Sequence, residues 1–301
     1  MVKRDKIGNS AKRTSVYLAE RKEKRRKKTT ARKNRKRDRE ELGDAAPPVK
    51  KQETLDTKRE FDPTFVEKKD SEITNDEACD EFSPFFSGDR QPKTVITSNQ
   101  KPSKRVYDLI RDLLGVFPNS FFYNRKQFEI KDMVKAANKR DFTSILVIHE
   151  DRKKINSLLH ICLPNGPTAH YKLSSLELIN EIPHRGRASK EKPEIILNNF
   201  NTRLGIRIGR MMSTLFPQDA NFRARQVCTM HNQRDFIFFR RHRYIIDNPF
   251  QDSEKAQLQE LGPRFTLKLK SLQVGTFDTK FGEYEWIHKK EMDTSRRRFF
   301  L

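Results

Sequence analysis

The sequence predicts an α+β (α/β-like) protein whose body is one unit of about 95 residues present twice, preceded by a basic N-terminal arm. Three observations lead there. Marks recur in one order at nearly one spacing: LLGVFPNS (113–120) with MSTLFPQD (212–219), KRDFTSILVI (139–148) with QRDFIFFRRH (233–242), and GPTAHYKLSSLEL (166–178) with GPRFTLKLKSLQV (262–274). The offsets are 99 (Phe117 to Phe216), 94 (Asp141 to Asp235) and 96 (Gly166 to Gly262). Within each copy a helical period gives way to alternating strands, the order of a helix packed on a mostly antiparallel sheet.

Each copy is expected to open on a helix. In the first, Val106, Leu109, Ile110, Leu113 and Leu114 share one helical face, and Pro118 stops it. In the second, Leu204, Ile208, Met211, Met212 and Leu215 do the same, and Pro217 stops it. The opposite face of that second helix is Arg203, Arg207 and Arg210, a positive stripe. A further short helix, with Ile130, Met133, Val134 and Ala137 on one face, belongs to the first copy and has no clear counterpart. Strands are expected at 144–148, 156–163 and 168–173, then at 225–231, 235–239 and 243–246. Phe265, Leu267 and Leu269 alternate with Thr266, Lys268 and Lys270, a strand with one apolar and one basic face. The Gly-Pro steps at 166–167 and 262–263 read as turns. The first half is set at 94–182, the linker at 183–193, the second half at 194–290 and a tail at 291–301.

Charge is distributed unevenly. The 301 residues carry 63 Lys or Arg and 41 Asp or Glu, a net charge of +22. Residues 1–40 have a net charge of +13, residues 41–100 of −6 and residues 101–301 of +15. The basic arm (1–45) holds Arg21, Lys22, Lys24, Arg25, Arg26, Lys27, Lys28, Arg32, Lys33, Arg35, Lys36 and Arg37, and between 21 and 39 its one apolar residue is Ala31. It cannot build a core, so it reads as a disordered arm or a solvated helix that orders on a polyanion, with nuclear import as a further use of the same charge. The segment 46–93 is acidic and carries Phe61, Phe65, Phe82, Phe85 and Phe86; it reads either as a linker or as a segment that docks on a partner protein. No run approaches eighteen apolar residues, and the first ten residues contain no apolar stretch of the secretory kind.

Catalytic signatures are missing. No phosphate-binding glycine loop, HExxH or cysteine pair at ligand spacing occurs, and the cysteines stand apart at 79, 162 and 228. The expectation is therefore no enzyme, no cofactor, no metal and no small-molecule substrate. What does occur is basic residues interleaved with aromatic ones. FIFFRRHRYIIDNPF (236–250) brings Arg240, Arg241, His242, Arg243 and Tyr244, with Phe236 and Phe238 expected in the core. Lys255 follows in what reads as a flexible loop over 247–261, then Arg264, Lys268 and Lys270, while Arg185 and Arg187 sit in the linker. Guanidinium groups fork onto phosphates and stack on bases, and exposed rings stack on unpaired bases, so single-stranded or irregular RNA is the expected partner.

The duplicated unit, RDFIFFRRHRYII (234–246) and LGPRFTLKLKSLQVGTFD (261–278) resemble the Brix-domain proteins of ribosome assembly, the last stretch matching their sigma-factor-like motif. The resemblance covers about 94–290, and GEYEWIHKKEMDTSRRRFFL (282–301) with the basic arm points to one type within that family. It implies two halves each similar to the anticodon-binding domain of class II aminoacyl-tRNA synthetases. It also implies a nucleolar assembly factor that binds precursor ribosomal RNA of the large subunit, beside other assembly factors and one dedicated protein partner. RNA contact carried over from the family falls on Arg240, Arg241, Arg243, Lys255, Arg264, Lys268 and Lys270. A protein-interaction scaffold with incidental RNA contact is the alternative, and a DNA-binding transcription factor a third reading.

Overall fold

A computed structural model describes residues 8–43, 53–55, 57–66, 70–189, 191–219, 225–247, 255–295 and 297–301. The chain divides into two compact units, 1–54 and 55–301.

The first unit holds the basic arm as one helix, α1 (Ser10–Leu42). Asn9 caps its start, its Oδ1 accepting from the Lys12 amide at 3.2 Å. No described side chain of α1 is buried. Its ion pairs are exposed contacts one turn apart, such as Lys27–Glu23 at 2.7 Å, and pairs of that kind stabilise by only a few tenths of a kcal/mol (~0.3–0.5).

The second unit begins with 55–66 and two short helices, α2 (Ser71–Cys79) and α3 (Ser83–Phe86). The sheet follows. The first half runs β1 (Thr94–Ser98), α4 (Lys104–Leu114), β2 (Ser120–Phe122), α5 (Ile130–Asn138), β3 (Ser144–Asp151), β4 (Lys154–Cys162) and β5 (Thr168–Glu177). The second half runs β6 (Glu194–Asn198), α6 (Arg203–Ser213), β7 (Gln226–Gln233), β8 (Phe236–Asp247), β9 (Lys255–Glu260), β10 (Arg264–Gln273) and β11 (Tyr284–Ile287). One sheet joins them in the order β2-β1-β3-β4-β5-β10-β8-β7-β6, with β11 on β10 and β9 on β8.

In each half the opening strand pairs parallel with strands that follow the helix, β1 with β2 and β3 and β6 with β7, and the rest pair antiparallel. Each half therefore opens on a strand and not on a helix as expected. The halves meet at β5 and β10, where Leu173 faces Leu267, Lys172 faces Lys268 and Tyr171 faces Leu269.

The helices sit where their apolar faces require. Val106, Leu109, Ile110 and Leu113 of α4 and Ile208, Met211 and Met212 of α6 share one core with Ile96, Leu146, Tyr171, Ile237, Phe239, Leu267 and Leu269. The rings of Phe117 and Phe216 meet edge to face there at 5.4 Å. α5 lies on the opposite face, packing Val134 and Ala137 on Val95, Ile145, Val147, Leu159 and Ile161. Among the described residues of this unit, no α-helix covers that outer face over β10, β8 and β7.

Three further expectations are corrected. β8 is one strand of twelve residues, not two, because its polar positions stay in ladder pairing with β7 throughout. Residues 255–260 form β9 on the edge of β8 and not a loop, while 248–254 lie outside the described residues. The segment 291–301, set apart as a tail, packs on the body through its last residues. Leu301 and Phe299 are buried, and the Asp235 carboxylate accepts from the amides of Phe300 at 2.7 Å and Leu301 at 2.9 Å. Gly205 fits beneath this segment, since a Cβ there would stand 2.9 Å from the Leu301 carbonyl carbon.

Candidate nucleic-acid interface

Strand alternation sorts the basic residues between two faces. On β8, Ile237 and Phe239 point into the core, so Phe236, Phe238, Arg240, His242 and Tyr244 lie on the outer face. On β10, Phe265, Leu267 and Leu269 are core, which puts Arg264, Thr266, Lys268 and Lys270 on the same outer face. Lys172 and His170 of β5 join them beside β10. Phe236 and Phe238 are thus not core as expected: Phe236 is 39% exposed and Phe238 half-buried.

The charges on this face are unequally compensated. Arg264 is held by Glu177 at 2.6 Å. Arg240 donates to the Phe239 carbonyl at 2.8 Å, and burial together with Arg264 weakens its hold on a proton. Burial and then the Arg240 charge act the same way on His242, whose pKa lies below its ordinary value despite Glu260. Lys268 reaches Asp293 at 3.0 Å and stands over the Phe236 ring at 5.4 Å. Among the described residues, neither Lys172 nor Lys270 has an ion-pair partner. Lys172 and Lys268 are direct cross-strand neighbours, a like-charge juxtaposition that destabilises a sheet. Burial, then Lys268 and also Lys172, push the Lys270 pKa down although Asp293 pulls it up. An arriving phosphate chain would relieve this repulsion.

Other expected residues lie elsewhere. Arg241 is on the core face, 2% exposed, donating to the Gln226 Oε1 at 2.8 Å. Its Nε has no hydrogen-bond partner among the described residues, and burial opposes its charge. It is not available to a ligand at the surface. Arg243 shares that side of the strand, past the core, and is exposed. Lys255 starts β9 opposite Asp247. Arg185 and Arg187 are exposed in the linker, where the Gly186 amide donates to the Glu260 carbonyl at 2.8 Å.

The arginine stripe of α6 is already occupied by acids. Arg203 pairs with Glu72 at 2.8 Å. Arg207 meets Glu285 at 2.7 Å and Glu81 at 2.8 Å. Arg210 grips Asp80 through Nε at 2.6 Å and Nη2 at 2.8 Å. The rings of Phe82 and Phe86 lie under Arg207 and Arg210 at 5.9 and 4.3 Å, and Phe82 and Phe85 are buried. The two readings left open for 46–93, spacer or docking element for another protein, therefore give way to a third where the segment is described. It docks on its own chain. The α6 arginines are in this arrangement structural and not a free RNA surface, because acids from about 130 positions earlier neutralise them.

Lys172 and His170 were missed. The signal was present: the offset of 96 that aligns Gly166 with Gly262 also aligns Lys172 with Lys268, its ladder partner.

A Brix-domain family model matches residues 99–271. "Ribosome production factor 1" of Pongo abelii is 50% identical over 297 residues, which is 98% of this chain and 84% of that protein. "Ribosome production factor 1" of Danio rerio is 50% identical over 250 residues, 82% of this chain and 74% of that protein. A solved structure described as a probable ribosomal biogenesis protein from Aeropyrum pernix K1 aligns with a TM-score of 0.44 at 11% identity, over 64% of this chain and 99% of that one.

Proposed function

The chain belongs to the Brix-domain family, and from that premise we propose that it is a non-catalytic ribosome assembly factor that holds precursor ribosomal RNA of the large subunit. On this reading it works in the nucleolus, beside other assembly factors and one dedicated protein partner. The names of its relatives support the ribosome-assembly role. The observation that carries the RNA reading is the lysine cluster on the outer face, with Lys172 opposite Lys268 and Lys270 beside them. Like charges brought together without enough carboxylate to neutralise them suit a polyanion, and the adjacent rings of Phe236, Phe238 and Tyr244 suit stacking on unpaired bases. The helix α1 would add phosphate contacts without sequence preference, since twelve of its Lys and Arg residues fall within 21–37.

We also read the two halves as copies of one unit, each related to the anticodon-binding domain of class II aminoacyl-tRNA synthetases. Support comes from the shared order of strand, helix, parallel strand and antiparallel strands. It comes too from a pseudo-twofold at the seam, centred where Lys172 and Lys268, equivalent by the offset of 96, face one another.

The test is the salt dependence of binding to a fragment of large-subunit precursor RNA by the full chain. Changing Lys172, Lys268 and Lys270 together to Gln should flatten the slope of log affinity on log salt by about 2, roughly 0.7 for each lost phosphate contact. A slope that does not move places the interface elsewhere. The engagement of 70–86 in cis weighs against the form of the scaffold reading in which 53–89 docks a partner, and leaves the form in which an exposed sheet edge does so. Equal affinity for RNA and duplex DNA in competition would favour the DNA reading instead.

A further inference from the structure

On the outer face, β4, β5 and β10 floor a pocket of about 610 Å³, walled by residues before and at the start of α5 and by the stretch from Phe277 to β11. That volume falls within the range of small-molecule sites and exceeds what one nucleotide needs. Its described lining contains no Asp or Glu. Three basic side chains, Arg125, Lys172 and Lys270, line it together with two imidazoles, His149 and His170. Two rings, Phe277 and Tyr284, line it as well, and Tyr284 is 45% exposed on the last strand of the sheet.

A second observation points the same way. Asn156 is part of the lining, and its Oδ1 is buried without a hydrogen-bond partner among the described residues. A buried acceptor left unmatched is costly, and it calls for a donor from outside. Each RNA base carries at least one N–H on its pairing edge, available once the base has left its helix. An acidic peptide would satisfy the cations, and a backbone N–H could meet Asn156, but its carboxylate side chains bring no flat ring to the aromatic wall.

We propose that this pocket receives one unpaired nucleotide of the bound RNA, its base against Tyr284 and in reach of Asn156, its phosphodiester on Lys172 and Lys270. The proposal rests on the RNA reading of the same face and gives it a ligand unit: a bulged or looped-out residue, not a continuous duplex.

The test uses the full chain and two RNA hairpins of equal phosphate count, one with a single bulged 2-aminopurine and one with the 2-aminopurine paired in its stem. The bulged hairpin should bind about tenfold more tightly, with its fluorescence quenched on binding. Tyr284→Ala should bring the preference below about twofold and leave the paired hairpin's affinity unchanged, while Tyr284→Phe keeps the preference. Thermal melting of both variants checks that they fold. If Tyr284→Ala does not fold, a bulged 5-iodouridine crosslinked to the wild-type chain decides: an adduct on the pocket lining supports the proposal and one elsewhere overturns it. Equal binding of the two hairpins by the wild type overturns the pocket and leaves the RNA reading standing. Binding of neither at low salt overturns both. A bulge preference that survives Tyr284→Ala, or displacement by poly-glutamate as effective as by the bulged hairpin, also overturns it.

Discussion

The contact between Arg210 and Asp80 should be worth far more than the other ion pairs on α6. Both side chains are 14% exposed, and they meet through two nearly parallel hydrogen bonds of 2.6 and 2.8 Å. The same guanidinium also donates to the Glu77 carbonyl at 2.8 Å and lies over the Phe86 ring. Removing one partner of a fully buried pair costs about 3–5 kcal/mol, mostly because the other charge is left without compensation. Here the residual exposure lets water reach the stranded carboxylate, and the segment 70–90 can peel away. The expected loss for Arg210→Ala is therefore about 2–3 kcal/mol. A double-mutant cycle with Asp80→Ala should give a coupling of about 2 kcal/mol.

The molecule supplies its own control. Arg203 and Glu72 pair at 2.8 Å on the same helix and the same acidic segment, but with 51% and 65% exposure. Their coupling should stay below about 0.5 kcal/mol, the ordinary value for a solvated pair. Urea unfolding of the two cycles makes the comparison, and chymotrypsin cleavage at Phe82 and Phe85, both buried in the folded protein, reports detachment of the segment. Equal couplings for the two pairs would contradict this, because the expected difference comes from desolvation and not from the presence of opposite charges.

Two further outcomes follow from buried titratable groups. Burial pushes the His160 pKa down to about 3, so the fold holds it neutral while the unfolded chain protonates it near 6.5. Stability should be complete above that value and fall as pH drops towards 3, approaching about 1.4 kcal/mol per pH unit; His160→Gln should flatten the wild-type decline between pH 6.5 and 5 in urea unfolding, and an unchanged decline would contradict it. Burial also pushes the thiols of Cys162 and Cys228 up to about 12 while Cys79 is exposed, so a disulfide reagent should modify one thiol quickly in the native protein and three in denaturant.

Long amphipathic elements were legible in the sequence. The face of α4 that is buried, Val106, Leu109, Ile110 and Leu113, is the one its spacing names. Short ones were not. β1 is TVITS, buried along its whole length and so without alternation, and β6 is EIILN, five residues with Ile196 exposed. Neither gives a two-residue period long enough to be seen. In sequence β8 reads as two strands because Arg240 and Arg241 interrupt its apolar run. The interruption is real only on one face: Arg241 follows Ile237 and Phe239 inward and finds Gln226. Residue type alone sends Phe236 and Phe238 to the core, whereas their alternation with Ile237 and Phe239 forbids it.

The basic residues divide by a rule that no local reading can supply. A stripe such as Arg203, Arg207 and Arg210 looks free until the fold brings Glu72, Glu77, Asp80 and Glu81 across it. Arg264 looks free until Glu177 of the other half reaches it. Summed charge therefore says that a polyanion is a plausible partner and not where it sits. The location comes from the contrast. This chain carries acids to α6, to Arg264 and, through Asp293, to Lys268, yet among the described residues Lys172 and Lys270 stand beside Lys268 without a carboxylate of their own. Lys172 and Lys268 also stand at the offset of 96 that separates Gly166 from Gly262, so on the duplicated reading proposed above the repulsion between them arises from the symmetry of the seam. A sheet selected for stability alone could remove that repulsion by changing one lysine. Its presence at the junction of the halves, on a face that no α-helix covers among the described residues of the same unit, is the physical reason to look for RNA there.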